Sequence, residues 1–187
     1  MRGAALVLLA LAPPAWGAGL AGVQVPESAT AGGKALVLNG VGLREATVLM
    51  VDVYVAGLYV EEKTTDPAAI LAPGATKRLV MTFVRSVGRE KLAEAWTEGF
   101  DKNAGDKRQA LASALATLNA AMTDVKKDDT IALTYLPDSG VTVNVRGKDA
   151  AVIVGDDFQR VLYSIWLGPN PPNVGLREGL LGRSSKD

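Results

Sequence analysis

The chain has 187 residues, no net formal charge, 48% hydrophobic residues, and neither histidine nor cysteine. That length suits one domain with a sizeable core. Neutral charge without a basic cluster argues against nucleic acid. The missing histidine and cysteine remove the usual ligands of zinc, haem and iron–sulfur centres, together with Ser-His and Cys-His nucleophile pairs. No metal or cofactor is therefore expected, and any chemistry must rest on Arg, Lys, Tyr, Asp, Glu or hydroxyls.

The N-terminus begins with one positive residue, Arg2, then an apolar run from Ala4 to Ala12 that is too short to span a bilayer. Pro13 and Pro14 break the run, and Ala15-Trp16-Gly17 offers small residues for cleavage. The segment 1–18 reads as a secretory signal peptide cut near Gly17 or Ala18, with 19–187 as a single mature domain. An uncleaved membrane anchor is the alternative. The expectation is a periplasmic protein that keeps no stable membrane anchor after processing.

In the mature chain, Gly22–Pro26 reads as a short strand and Ala31-Gly32-Gly33 as a turn. The stretch from Lys34 to Glu62 is nearly all apolar and β-favouring, with few and well separated polar groups: Arg44, Asp52, Tyr54 and Tyr59 among them. Asn39-Gly40 and Gly42 mark a bulge or a close backbone approach. From Val48 to Val60 the residues alternate. Leu49, Val51, Val53 and Val55 are expected to face a dry core, with Asp52 and Tyr54 on the other face. An apolar stretch that carries one arginine and one tyrosine is what a cleft gripping the polar end of an apolar ligand needs. A central strand pair with a snorkelling arginine reads the same way.

A short helix is predicted at Pro67–Leu71 and a strand at Arg78–Val84. A helix follows with Leu92, Trp96 and Phe100 on one stripe. Asp106 is expected to cap the next helix, whose stripe is Leu111, Leu115, Leu118 and Met122. Alternating runs about Ile131–Tyr135 and Val141–Val145, around Pro137-Asp138-Ser139-Gly140, predict a hairpin. A strand at Ala151–Val154 precedes a helix capped by Asp156 or Asp157 that carries Phe158, Val161, Leu162, Ile165 and Trp166. A last amphipathic helix covers about Val174–Leu181. This order suggests an α+β fold, an antiparallel sheet with helices on one face.

The runs LVLNGVGLRE…VDVYVAGLYVEE, KRLVMTFVRSVGREKLAEAWTEGF and VLYSIWLGPNPPNVGLREGLLG resemble the chalcone isomerase family, closest to its bacterial exported branch. The resemblance covers about Val23–Gly182. It implies an open-faced β-sandwich: a large antiparallel sheet covered by helices, with a ligand cleft between them. It also implies a site. Arg44 matches the family arginine that steadies a phenolate and enolate in the plant enzymes. Tyr54 stands where those enzymes carry a threonine that polarises a ketone through water. The arginine–tyrosine pair is similar to the pair that holds a carboxylate in fatty-acid-binding members. Ser164 matches a further hydroxyl near the penultimate helix. The chain departs from the plant pattern at the start of the central helix. There Gly88 or Arg89 and Ala95 replace a tyrosine and an asparagine.

Three functions follow. The first is binding of a hydrophobic molecule with an anionic head, a fatty or aromatic acid, by Arg44, Tyr54 and Ser164. The second is a chalcone–flavanone type isomerase in which Arg44 and Tyr54 are catalytic. The third is a structural or partner-binding envelope protein without a small ligand, in which Arg44 satisfies backbone carbonyls. The sequence leaves the oligomeric state open. It also sets a geometric condition. On one straight strand ten residues separate Arg44 from Tyr54 by roughly 33 Å, so the chain must turn near Glu45–Thr47 for the two to meet. Asp52 is the nearest acidic candidate for Arg44.

Overall fold

The computed structural model describes residues 16–46 and 51–183. Two short strands, β1 (Trp16–Leu20) and β2 (Val23–Pro26), pair with each other. Seven more strands form one antiparallel sheet in strict chain order: β3 (Ser28–Ala31), β4 (Lys34–Ala46), β5 (Val51–Val60), β6 (Lys77–Phe83), β7 (Thr130–Leu136), β8 (Gly140–Val145) and β9 (Lys148–Ile153). Among the described residues, α1 (Pro67–Leu71), α2 (Arg89–Asn103) and α3 (Ala112–Ala120) lie between strands, and α4 (Asp156–Leu167) and α5 (Val174–Leu180) follow the last one.

The turns follow from local chemistry. Gly32 and Gly33, at φ +56° and +76°, make a two-residue link between β3 and β4 that non-glycine residues would adopt only under strain. Pro67 opens α1 at a position where its missing N–H is harmless, and Asp66 caps the helix by accepting from Ala68 N at 2.9 Å. Two expected caps differ. Asp106 lies in a 3₁₀ turn, Gly105–Lys107, and α3 begins later, at Ala112, without a side-chain cap. The capping residue of α4 is Gly155, at φ +115°, and Asp156 and Asp157 form its first turn. Carboxylates there still suit the positive end of the helix dipole. Asp156 also accepts from the Tyr135 hydroxyl at 2.9 Å.

The main core lies between one sheet face and the helices. It joins Ala56, Leu58 and Val60 of β5 and Leu79, Met81 and Phe83 of β6 to Trp96, Phe100, Leu115 and Trp166. The other face of the sheet carries a smaller cluster, in which Val55 and Tyr59 meet Leu36, Leu38 and Val25. From Tyr54 onward the even positions of β5 therefore face the main core. This corrects the expected assignment at Val55, whereas Val53 does pack against the main core. Val55 is buried in the smaller cluster, Val51 and Val53 are half-buried, and Leu49 lies outside the described residues.

Two bulges explain how β4 and β5 present their residues. Side chains alternate strictly, so one inserted residue moves everything beyond it to the opposite face. The first bulge falls at Asn39, between Leu38 and Gly40. Leu36 and Leu38 precede it and point to the smaller cluster; Gly40, Gly42 and Arg44 follow it and face the helices. The second falls at Val53, between the paired residues Tyr54 and Asp52. Without the first, Arg44 would face away from the helices.

Helix α5 rests on the bulged stretch. A Cβ on Gly40 would stand 2.1 Å from Gly179 O, and one on Gly42 would stand 2.4 Å from Leu176 O. Asn39 Nδ2 donates to Leu180 O at 2.8 Å, and Asn173 Nδ2 donates to Leu43 O at 3.1 Å. At the far end of the sheet, β6 begins with a buried cation. Lys77 Nζ donates to Ile70 O at 2.6 Å and to Ala72 O at 2.8 Å, and lies 4.8 Å from the centre of the Tyr135 ring. It thereby satisfies carbonyls at the end of α1.

Strand β1 begins at Trp16, and Ala18 pairs with Val25. The earlier part of the expected signal peptide lies outside the described residues. Among the described residues no helix is long and apolar enough to cross a membrane.

Candidate ligand cavity

A cavity of about 440 Å³ opens between the sheet and the helices. Its floor is Val53 and Tyr54 of β5 with Met81 and Phe83 of β6; Leu92, Trp96 and Gly99 of α2 and Ile165 and Trp166 of α4 close it from above. Pro171 and Pro172 form one side, and Arg44 and Ala46 stand at the end of β4. Lys91, Ala95 and Lys102 lie on the exposed side of α2 at the mouth. Lys91 pairs with Glu94 at 2.7 Å and Lys102 with Glu98 at 2.5 Å, contacts worth little at such exposure.

Arg44 and Tyr54 meet here. β4 and β5 run antiparallel, and Arg44 is the register partner of Tyr54. The chain reversal that the sequence required lies within residues 47–50, outside the described residues. Arg44 is half-buried, and its guanidinium donates to the backbone carbonyl of Glu45. Among the described residues it forms no ion pair with a carboxylate. Asp52, the expected acidic neighbour, sits opposite Glu45 in register and is not paired with Arg44. An arginine remains charged under any ordinary condition, so donors of this cation stay available to an anionic group in the cavity.

Tyr54 packs edge-on against Phe83, with ring centres 5.6 Å apart, and its hydroxyl accepts from Trp166 Nε1 at 2.9 Å. Burial pushes the Tyr54 hydroxyl up to about 12, against smaller opposing effects of the Trp166 bond and the Arg44 charge. It stays protonated across the neutral range. Tyr54 and Arg44 together thus offer an O–H and several N–H donors at one end of an otherwise apolar space. That suits a carboxylate, phenolate or enolate oxygen.

Ser164 is not brought to this site. It lies on α4 away from the cavity lining, and its hydroxyl donates to Val161 O of its own helix at 2.7 Å. Tyr59 is on the opposite sheet face, where its hydroxyl donates to Pro26 O at 3.1 Å. The sequence places Trp96 and Trp166 on the apolar stripes of their helices. Both also wall the cavity. A tryptophan at the helix period carries no mark that separates a cavity wall from core packing.

The chalcone isomerase-like family model matches residues 17–182. The chain belongs to that family. No curated protein matches it. Among solved structures, the crystal structure of a fatty-acid binding protein of Arabidopsis thaliana superposes with a TM-score of 0.72. The alignment covers 86% of this chain and 92% of that one at 17% identity. At that identity the likeness is one of fold: the open-faced, helix-covered antiparallel sheet of the chalcone isomerase-like family. Within that fold, α2 of this member lines the cavity with Leu92, Ala95, Trp96 and Gly99. The positions that the resemblance matches to a tyrosine and an asparagine, Gly88 or Arg89 and Ala95, thus bring neither a hydroxyl nor an amide to this wall. Gly88 is the capping residue of α2, Arg89 its first residue, and Ala95 offers only a methyl group.

Proposed function

We propose that this protein binds a hydrophobic small molecule with an anionic head, a fatty or aromatic acid. The head meets Arg44 and Tyr54, and the apolar body lies between the sheet and α2. The observation that carries this reading is the register pairing of Arg44 with Tyr54 at one end of the apolar cavity. A charged arginine with no carboxylate partner among the described residues, beside a protonated tyrosine, is suited to a planar two-oxygen anion. The fatty-acid binding protein of like fold supports the same ligand class. The α2 wall weighs against the isomerase alternative, since its buried lining residues Leu92, Trp96 and Gly99 offer neither a hydroxyl nor an amide and its charged ones, Lys91, Glu98 and Lys102, are exposed at the mouth.

A displacement titration tests the reading. Medium-chain fatty acids should displace a bound fluorescent fatty-acid analogue, Arg44→Ala should abolish most of that displacement, and a chalcone substrate should not be turned over. Arg44-dependent chalcone cyclisation would make the protein an isomerase instead. Displacement that ignores Arg44 would remove the head-group assignment.

Export is part of the proposal. The charged start, short apolar run and small residues of the N-terminus support delivery to the periplasm and cleavage near Gly17 or Ala18. Such cleavage would keep the Gly19–Gln24 and Leu20–Val23 pairs of the first hairpin. N-terminal sequencing of the exported protein tests it, and a periplasmic chain that retains Met1–Leu11 would contradict it.

A further inference from the structure

A tyrosine hydroxyl has one proton to donate, and conjugation of its oxygen with the ring leaves one good accepting position, in the ring plane. In Tyr54 that accepting position is filled from α4, by the Trp166 indole N–H at 2.9 Å. Two hydrogens cannot share that line, so the hydroxyl proton points elsewhere. Among the described residues no acceptor takes it, and Tyr54 borders the cavity. The direction of the Trp166 N–H is set by packing. Trp166 is 1% exposed and wedged edge-on against Trp96, with ring centres 5.7 Å apart. Trp96 provides a contrast within the same wall. It is almost equally buried, yet its Nε1 has no partner among the described residues. Burial in this core therefore does not by itself require an indole N–H to reach an oxygen. Arg44, paired with Tyr54 across the strands, has donors only.

We infer that Trp166 is a positioning residue. It acts through Tyr54 to keep the Arg44–Tyr54 end of the cavity a donor-only clamp, which selects head groups that only accept, such as carboxylates, over head groups that must also donate, such as primary alcohols. The inference rests on the binding function proposed above and names what decides its head-group specificity. The raised Tyr54 hydroxyl agrees with it, since a tyrosine that stays protonated remains a donor across the neutral range. A carboxylate satisfies every donor it meets. An alcohol of the same chain length would bring an O–H for which the clamp has no free acceptor, a penalty of roughly tenfold in affinity.

The test compares decanoate with 1-decanol at pH 7.5, by displacement of a bound fluorescent probe. It uses wild type, Arg44→Ala, Trp166→Phe, Tyr54→Phe and the Trp166→Phe/Tyr54→Phe double variant. Wild type should prefer decanoate by about tenfold or more. Trp166→Phe should reduce that preference severalfold, and the same change made in the Tyr54→Phe background should leave the preference where it was. A packing role alone would not produce that dependence on Tyr54. A preference that survives Trp166→Phe, or falls equally in both backgrounds, overturns the inference while Arg44-dependent decanoate binding stands. If wild type binds neither compound, the binding function falls and this inference with it. Should Trp166→Phe fail to fold, indole N–H resonances of the wild type decide the matter. Decanoate should move the Trp166 signal more than the Trp96 signal, and Tyr54→Phe should abolish that difference; equal movement in both proteins overturns the inference.

Discussion

Replacing Gly40 by alanine probes the contact that turns β4 towards the helices. The new methyl carbon would stand 2.1 Å from Gly179 O, 2.7 Å from Leu180 O and 2.7 Å from Gly182 N. All three are backbone atoms, so no side-chain rotation relieves the overlap, and the end of α5 must move outward. That region seats Leu176, Leu180 and Leu181, each 0% exposed. A fully buried leucine contributes about 1.5–3 kcal/mol, so complete undocking would forfeit roughly 4.5–9 kcal/mol. Native domains hold only about 5–15 kcal/mol in total. Overpacking commonly costs about 1–3 kcal/mol because the structure relaxes in part. A backbone obstacle places the expected loss at about 2–4 kcal/mol. Urea unfolding followed by tryptophan fluorescence measures it as a lower midpoint at unchanged slope. Gly175→Ala is the control. Gly175 lies in α5 with only Asn173 Nδ2 near its would-be Cβ, at 3.9 Å, so alanine should be neutral or stabilise by up to about 1 kcal/mol. A Gly40→Ala protein within about 0.5 kcal/mol of wild type would refute the close approach of α5 to β4, and with it the reason for the bulge.

Three further outcomes are expected. Ala95→Trp, at the cavity mouth, should weaken decanoate binding about tenfold or more while moving the urea midpoint little, since Ala95 is exposed; unchanged affinity would mean that ligand does not enter there. Burial pushes the Lys77 ammonium down to about 8, so the unfolded chain holds this proton more tightly and the stability contributed by Lys77 should rise with pH between about 8 and 10.5. Relative to Lys77→Met the gain should be at most about 3 kcal/mol, and identical urea midpoint differences at pH 7.5 and 10 would contradict it. Burial likewise raises Tyr54 to about 12 and pushes Tyr163 up. Their stabilisation is complete below about pH 10 and is lost above it, so tyrosinate absorbance should show at least these two tyrosines ionising only with alkaline unfolding.

Much of the fold was legible because it is local. Gly32-Gly33 and Pro137-Asp138-Ser139-Gly140 carry turn chemistry that needs no tertiary partner, and the stripe Leu92, Trp96, Phe100 repeats at the helical period. The glycines of β4 correctly signalled a bulge and a close approach. What they could not reveal was direction. Whether Arg44 faces helices or solvent depends on the one-residue insertion at Asn39, which α5, more than 130 residues further along, holds in place. The same holds at Val53, where a second bulge broke the even–odd alternation expected of β5. The caps of α3 and α4 were misread because an aspartate near a helix start serves equally as cap or as first-turn residue. Glycine at φ +115° took the cap of α4 instead. Lys77 drew no notice because a lysine reads as surface until two helix-end carbonyls and a tyrosine ring surround it. In the cavity, Arg44 and Tyr54 could be named from the resemblance. Trp166 could not be singled out, because its role is a single N–H direction set by the packing of α4.

Calorimetric titration of decanoate into wild type, Arg44→Lys and Arg44→Ala tests the central assignment most directly. The account predicts one site per chain in wild type. Arg44→Ala should weaken binding by roughly 1–3 kcal/mol for the loss of a charged hydrogen bond, with unchanged urea midpoints. Arg44→Lys should recover only part of that loss, because an ammonium cannot grip two carboxylate oxygens as a guanidinium does. Equal affinity in all three proteins, or an Arg44→Ala protein that no longer folds, would contradict the account and leave Arg44 a structural residue.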